Sequence, residues 1–222
     1  MTLRVAIMQP YFFPYAGYFR LMAASDLFVI LDDVQFPRRG RVHRCELAPG
    51  TWLTLPLARA ARDTRINQLD WAPEARTSLD ARLAGAGIDK AVSSPLHAHL
   101  FGPLPSVPDF LERGLRLVTE LLDLPVRFLR SSALGLPAGL RGQDRILAIL
   151  DALGASHYIN APGGRDLYQP NAFATRGMTL EFLPPYRGAF PHLLPELLLP
   201  GAGSRIRADI DGEALSGAWP GL

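Results

Sequence analysis

The chain has 222 residues, of which 48% are hydrophobic and 20% are charged, and its net charge at pH 7 is +2. These values are typical of a globular protein with a sizeable core, in one domain or two small ones. The small net charge does not indicate a nucleic-acid-binding surface. The single cysteine, Cys45, excludes an internal disulfide and a zinc site built on a CxxC pair. Because no membrane span or secretion signal is evident, we expect a cytoplasmic protein.

The chain opens with a pattern typical of a βαβ unit. Residues 3–8 are a short apolar run and predict a buried strand, residues 17–26 predict a helix, and residues 26–36 predict a second apolar strand that runs into two acids. A strand, a tight loop, a helix and a further strand indicate a parallel sheet.

The middle of the chain predicts less regular elements. In order, these are a loop or irregular hairpin (37–50), a strand (51–58), a helix (74–92), a flexible proline-rich loop (93–108) and an amphipathic helix (109–124). Asp109, which follows Pro108, is the expected N-cap of the last of these helices.

Strands and helices then alternate again. The pattern predicts a strand (125–134), a helix (143–155) that ends at Gly154, a strand (156–162), a loop with a short helix (163–177) and a strand (178–186). The expected fold is therefore α/β, with a parallel-centred, Rossmann-like sheet, flanking helices and the first strand in the centre. We expect one domain over residues 1–189, followed by a Pro- and Gly-rich tail over residues 190–222.

The stretch MQPYFFPYAGYFRLM packs six aromatic residues around the turn from the first strand into the first helix. Rossmann folds of the nucleotidyltransferase type carry H-x-G-H at this point, and here Tyr15 and Tyr18 stand in place of the two histidines. Tyrosine can donate a hydrogen bond to phosphate or carboxylate, but it does not titrate near neutral pH. Gln9, Tyr11, Tyr15 and Tyr18 are candidate ligand-binding residues, whereas the phenylalanines are expected in the core.

A second candidate segment follows the second strand. Asp32 and Asp33 end that strand, and such acids can accept a proton or grip hydroxyl groups. In an extended chain the two side chains point in different directions, so only one of them is expected to face a site. Gln35 lies two residues further along.

The basic loop that follows, over residues 38–44, contains Arg38, His43 and Arg44. Arginine forks suit phosphate or carboxylate, although charge runs are usually solvated surface loops.

The third candidate segment is YINAPGGRDLY, residues 158–168. Asn160 ends a predicted strand, and Gly163 and Gly164 permit close approach of a ligand to the backbone. Tyr168 follows on a short helix. The segment is either an anion- or sugar-binding turn or an ordinary turn between a strand and a helix. We expect no metal, because His97 and His99 lack a third ligand.

These three segments together resemble the WbqC-like protein family. The resemblance runs in order from about residue 5 to residue 183 and rests on the MQPYFFPYAGYF opening, the DDVQ segment and the segment that ends in NAPGGRDLY. It implies a protein of bacterial O-antigen, other surface-glycan or natural-product biosynthesis that transfers an aminoacyl or acyl group to an amine. It also carries roles in the site to Gln9, Tyr11, Tyr15, Tyr18, Asp32, Asp33, Gln35, Arg44, Asn160, Gly163, Gly164 and Tyr168.

Two segments depart from the family pattern. The basic loop reads RVHRC at residues 41–45, where the family has W-I-N-R-N. The family usually ends in a segment that reads roughly F-x-P-x-L-S-I-I-D-L-L-F-N. Here that segment reads FPHLLPELLLPG, in which Glu196 is the remaining acid. These departures imply a changed substrate or lost activity if the ending helps to build the site.

The expected function is biosynthetic group transfer onto an amine of an amino sugar or of a natural-product intermediate. Asp32, Asp33 and Tyr15 are the expected catalytic groups, and the arginines are expected to grip a phosphorylated or carboxylated small-molecule substrate. The cofactor is unknown, and no nucleic acid is expected as a partner except an aminoacyl-tRNA donor. The alternatives are a non-catalytic nucleotide- or sugar-binding protein and, ranked last, nucleotidyl transfer.

Overall fold

The computed structural model describes residues 2–92 and 94–216, with side chains up to residue 212. Its strands are β1 (Arg4–Met8), β2 (Leu27–Ile30), β3 (Arg44–Ala48), β4 (Thr51–Thr54), β5 (Arg127–Arg130), β6 (His157–Asn160) and β7 (Thr179–Phe182). Its helices are α1 (Ala16–Ala23), α2 (Ala75–Gly85), α3 (Pro95–Phe101), α4 (Val107–Leu121), α5 (Gly142–Leu153), α6 (Pro170–Ala174), α7 (Leu193–Leu197) and α8 (Ala202–Ser216).

Five strands form a sheet in the order β5-β2-β1-β6-β7, and each neighbouring pair is parallel. The first strand is central, as predicted. The order is that of one Rossmann-type sheet, in which the chain runs outward on one side of β1 and then crosses to the other side. The α/β, parallel-centred fold is therefore confirmed. The strands β3 and β4 form a separate antiparallel hairpin.

The sheet carries a hydrophobic layer on each face. Alternate side chains of a strand point to opposite faces, so Ala6 packs with α1 and α4 in the larger cluster. Val5 and Ile7 pack with Ile146 and Leu150 of α5 in the smaller cluster. Because both faces are covered, the inner strands are continuous apolar runs, namely LFVI in β2 and VAIM in β1, rather than alternating patterns.

The prediction of a flexible loop over residues 93–108 is wrong, because α3 and the start of α4 lie there; Ser93 itself is outside the described residues. Ser94 caps α3 by accepting a hydrogen bond from the His97 amide at 3.2 Å. The prolines of this stretch indicate a loop, but Pro95 stands in the first turn of α3, where it has no helical hydrogen bond to lose.

The predicted cap of α4 also requires correction. Ser106, not Asp109, is the N-cap, and its hydroxyl accepts a hydrogen bond from the Asp109 amide at 3.3 Å. The helix therefore begins before Pro108, which is tolerated in the first turn. The predicted C-cap is confirmed, since Gly154 ends α5 with a φ of +62°.

The segment after residue 189 contains α7 and α8. Their apolar side chains, among them Leu193, Leu197, Ile206 and Ile210, are buried in the larger cluster. The helix α8 packs against α1. Residues 217–222 of the predicted tail are outside the described residues.

Candidate functional site

A polar cleft of about 990 Å³ lies at the carboxyl ends of β2 and β5. Its walls come from the loops that follow these two strands, from residues 63–68, from the first turn of α5 and from Tyr168. Ligands of open parallel sheets bind at this edge, because the loops after the strands converge there. The cleft is larger than most pockets for a single small molecule, which span roughly 300–1,000 Å³.

Asp32 is buried below the floor of the cleft and serves as a structural anchor. Its carboxylate accepts hydrogen bonds from the Ser132 amide at 3.0 Å and from the Ser132 hydroxyl at 2.7 Å. Its carbonyl oxygen accepts a bond from the Asn67 amide at 2.8 Å. Asp32 is only 1% exposed. It therefore ties together the loops that follow β2 and β5 and is not positioned to meet a substrate.

Asp33 is the acid of this pair that lines the cleft. One oxygen of its carboxylate accepts a hydrogen bond from the Ser131 hydroxyl at 2.6 Å, and the other forms an ion pair with Arg145. Arg145 projects from α5, is 5% exposed, and also donates to the Pro137 carbonyl. Two fixed donors thus orient the Asp33 carboxylate, and each oxygen keeps a lone pair for a further donor.

Several residues of the cleft were not recognised from the sequence. They are Asp63, Arg65, Asn67, Gln68, Ser132, Arg141 and Arg145. Ser132 could have been found, because Ser131 and Ser132 follow β5 directly, just as Asp32 and Asp33 follow β2. Arg145 left a weaker signal, since it is a charged residue next to the buried stripe of α5.

The aromatic turn after β1 is largely packed into the core. Phe12, Phe13 and Tyr18 are at most 5% exposed. The Tyr18 hydroxyl donates to the Gln9 carbonyl at 2.7 Å, and the Tyr18 ring packs on that of Tyr11. Burial raises the pKa of Tyr11, and it raises that of Tyr18 well above the ordinary value, so both hydroxyls stay neutral. The turn thus belongs to the layer of α1, on the opposite face of the sheet from α5.

The start of α1 is occupied by the chain itself. The amide of Ala16 donates to the Phe190 carbonyl at 3.1 Å. A Cβ atom on Gly17 would collide with the ring of Tyr15 and would lie 2.7 Å from the Cβ of Tyr186. The glycine therefore makes room for Tyr186, in the place where H-x-G-H proteins admit a ligand. Burial raises the pKa of the half-buried Tyr15.

The basic loop lies beside the β3–β4 hairpin. Arg44 stacks on Trp52, with its guanidinium carbon 4.4 Å from the ring centre, and donates to the Arg39 carbonyl at 2.6 Å. Arg38 donates to the Ala60 carbonyl at 2.8 Å. The pKa of His43 is lowered, first by burial and then by the nearby charge of Arg44. None of the arginines and histidines over residues 38–44 lines the cleft.

The turn after β6 is also closed by its own side chains. Asn160 is buried, and its side-chain oxygen accepts a hydrogen bond from the Ala161 amide at 2.7 Å. A Cβ atom on Gly164 would collide with the Asn160 amide group, so this glycine accommodates Asn160, while Gly163 meets no such neighbour. Tyr168, whose hydroxyl accepts a hydrogen bond from Tyr158 at 3.3 Å, lines the cleft.

The cleft thus brings together three of the candidates from the sequence, namely Asp33, Gln35 and Tyr168. The remaining candidates lie outside its lining: Gln9, Tyr11, Tyr15, Tyr18, Asp32, Arg38, His43, Arg44, Asn160, Gly163 and Gly164.

Comparison with known proteins bears on the family. The model of the WbqC-like protein family matches residues 9–193. The chain belongs to the WbqC-like protein family. It is also 25% identical, in an alignment of length 180 that covers 77% of this chain and 77% of the other protein, to a protein of Mycobacterium tuberculosis (strain ATCC 25618 / H37Rv) named "Uncharacterized protein Rv1507c". No solved structure matches the chain.

The part of the chain that matches the family includes every residue that lines the cleft. It includes the loops after β1, β2, β5 and β6, and it ends at the first residue of α7. The altered ending contacts the start of α1, where the Phe190 carbonyl accepts a hydrogen bond from the Ala16 amide, and none of its residues lines the cleft. The departures from the family pattern lie away from Asp33.

Over residues 2–92 and 94–216, no helix is long and apolar enough to cross a membrane. No three histidine, cysteine or acidic side chains of the described part of the chain gather in a way that could hold a metal ion. His97 hydrogen bonds to Ser94 at 2.8 Å, whereas His99 stacks on Phe110 with ring centres 4.3 Å apart.

Proposed function

We propose that the protein is a biosynthetic group-transfer enzyme that moves an acyl or aminoacyl group onto an amine held in the cleft. The observation that carries the proposal is the Asp33 carboxylate, fixed by Ser131 and Arg145 on the wall of a polar cleft at the carboxyl edge of the sheet. The amine belongs to an amino sugar or to a natural-product intermediate, as the family resemblance implies.

The reaction needs an activated acyl donor, either an ester or a thioester. The lone pair of the amine nitrogen attacks the donor carbonyl carbon, a C–N bond forms, and the bond from that carbon to the leaving group breaks. The nitrogen loses a proton to the Asp33 carboxylate, which passes it to the departing alkoxide or thiolate and so returns to its ionised form. A positioned base of this kind contributes on the order of a hundred- to ten-thousand-fold in rate.

The size and lining of the cleft support this assignment. About 990 Å³ accommodates an acceptor and the reacting end of a donor together. Ser132, Asn67 and Arg65 line the same cleft as Asp33, so a polar substrate can replace its bonds to water there.

A screen followed by a turnover assay tests the proposal. Nucleotide sugars, amino sugar phosphates, amino acids and acyl donors are first tested for thermal stabilisation of the protein, since a ligand at a hundred times its Kd stabilises by roughly 2.7 kcal/mol. Pairs of stabilising ligands are then incubated with the protein, and products are sought by mass spectrometry.

The matched variants are Asp33→Asn and Asp151→Asn. The same change of side chain removes the proposed base in one case and an exposed acid of α5 in the other. We expect turnover per folded molecule to fall at least a hundredfold in the first variant only. Equal turnover in the two variants contradicts the proposal. Stabilisation by nucleotides or sugars without any product favours a binding protein instead.

A further inference from the structure

Two hollows extend beyond the cleft along the basic loop. Gln35 borders the cleft and also a hollow of about 460 Å³, whose lining includes Arg38 and Arg62. Phe36 and Arg38 border this hollow and a second one of about 370 Å³, which Arg59 and Arg82 also line. The first hollow therefore adjoins the cleft, and the second hollow adjoins the first. We call the two hollows with their four arginines the arginine groove.

The guanidinium groups of the groove are exposed and carry no acidic partner. Arg38, Arg59, Arg62 and Arg82 are all exposed, and within the described part of the chain none of them forms an ion pair. Arg38 donates to the Ala60 carbonyl at 2.8 Å, and Arg82 donates to the Thr54 carbonyl at 2.7 Å. These bonds orient the guanidinium groups of Arg38 and Arg82 but do not neutralise their charge. Both groups therefore keep N–H donors for a ligand.

The charge of the groove is local. Residues 35–65 contain seven arginines and two acids, although the whole chain has a net charge of only +2. The rest of the chain is therefore slightly acidic. A long polyanion would meet repulsion beyond the groove, whereas a small anion within it would not. The small volumes of the two hollows, about 460 and 370 Å³, point in the same direction.

We infer that the arginine groove binds the diphosphate group of a substrate whose reacting end lies in the cleft. The inference rests on the proposed function, because it assigns the distal part of the same substrate. Arginine forks match phosphate oxygens in pairs, and four of them around two adjoining hollows suit two linked phosphates. A diphosphate occurs both in a nucleotide-linked sugar acceptor and in a coenzyme-A-linked donor, and Gln35 marks where such a substrate would enter the cleft.

Binding of simple probes tests the inference without any turnover. Inorganic pyrophosphate, UDP and coenzyme A are titrated calorimetrically into the protein and into a double variant, Arg38→Gln with Arg62→Gln. Arg39→Gln is the matched control, because Arg39 is exposed on the same loop but does not line either hollow. Since the four side chains that line the groove are exposed, the variants are expected to fold normally, and their melting temperatures verify this.

We expect all three probes to bind, with Kd at least tenfold higher in the double variant and changed less than twofold in the control. Tighter binding of UDP than of coenzyme A assigns the diphosphate to the acceptor, and the reverse order assigns it to the donor. Failure of pyrophosphate to bind, or equal Kd in the double variant, overturns the inference. Much tighter binding of a short single-stranded RNA, abolished in the double variant, overturns it in favour of a nucleic-acid site.

The proposed function and this inference fail separately. Asp33→Asn lies outside the groove and is expected to retain pyrophosphate binding. If pyrophosphate binds but Asp33→Asn retains turnover, the proposed function fails and the groove stands. If ligands without phosphate occupy the cleft and pyrophosphate does not bind, the groove fails alone.

Discussion

Asp33→Asn is expected to destabilise the protein as well as to abolish turnover. Were the carboxylate simply exposed in a pocket, this nearly isosteric change would leave stability unaltered. Instead, Asp33 is the ion-pair partner of Arg145, and the two side chains are only 11% and 6% exposed. Removal of one partner leaves the other charge buried and uncompensated, which typically costs about 3–5 kcal/mol.

The expected cost lies at the lower end of that range, at about 3 kcal/mol, because the amide retains one acceptor oxygen and the side chain faces the cleft. For a chain of this length, that corresponds to a fall in Tm of roughly 6–12 °C. Scanning calorimetry measures it. Asp151→Asn is the control, because it breaks the exposed Arg176–Asp151 pair, whose loss costs about 1 kcal/mol at most.

A double-mutant cycle attributes the effect to the pair. Arg145→Met removes the other partner, and the doubly substituted protein lacks both charges. We expect the double variant to lose less stability than the sum of the two single variants. A fall in Tm of less than 2 °C for Asp33→Asn, or strict additivity in the cycle, would refute the assignment of a buried ion pair.

Three further predictions concern the layers that support the site. Burial and, secondarily, Arg113 lower the pKa of His99 to about 4, so the unfolded chain binds more protons than the folded one between pH 4 and 6.5. The free energy of unfolding, measured by urea titration, should therefore be highest above pH 6.5 and fall by roughly 3 kcal/mol as the pH is lowered to 4. His99→Gln should flatten this pH dependence, and an unchanged slope would count against the role of His99. Phe12→Ala should lower the free energy of unfolding by about 3–5 kcal/mol, since the ring is 2% exposed and packs on Phe13 and Phe110. Tyr15→Phe should change it by no more than about 0.5 kcal/mol, and similar values for the two variants would place Phe12 outside the core. Ser106→Ala should lower the urea-derived stability by about 1 kcal/mol through loss of the α4 cap, and no loss would return the cap to Asp109.

The sequence allowed the sheet to be predicted because the relevant signals are local. Residues 3–8 and 27–30 are short apolar runs, and a single intervening helix dictates that the two strands are parallel. The helix α3 was missed because proline marks both loops and the first turns of helices. Only the capping bond of Ser94 distinguishes the two cases, and that bond is visible only in the folded chain.

The candidate site was predicted less completely, because its residues meet only through tertiary contacts. The sequence indicated that Asp32 and Asp33 point in different directions, but not which of them faces outward. That choice depends on Ser131, Ser132 and Arg145, which lie about a hundred residues further along the chain. The aromatic turn drew attention by its composition, yet its rings largely fill the core beside α1.

The glycines of the two turns carried a similar ambiguity. A glycine at a strand-to-helix turn permits close approach of any group, either a ligand or a side chain of the same protein. At Gly17 the approaching group is Tyr186, and at Gly164 it is Asn160. The sequence pattern alone cannot distinguish these cases, because the contacts of Gly17 with Tyr186 and of Gly164 with Asn160 form only in the folded chain.

A crystal structure of the protein with its most strongly stabilising ligand tests the central claim most directly. The account predicts that the reacting end of the ligand lies within hydrogen-bond distance of the Asp33 carboxylate, in the cleft between the loops that follow β2 and β5. A ligand bound instead at the aromatic turn, against Tyr11 and Tyr15, or at the turn after β6, against Asn160, would contradict it.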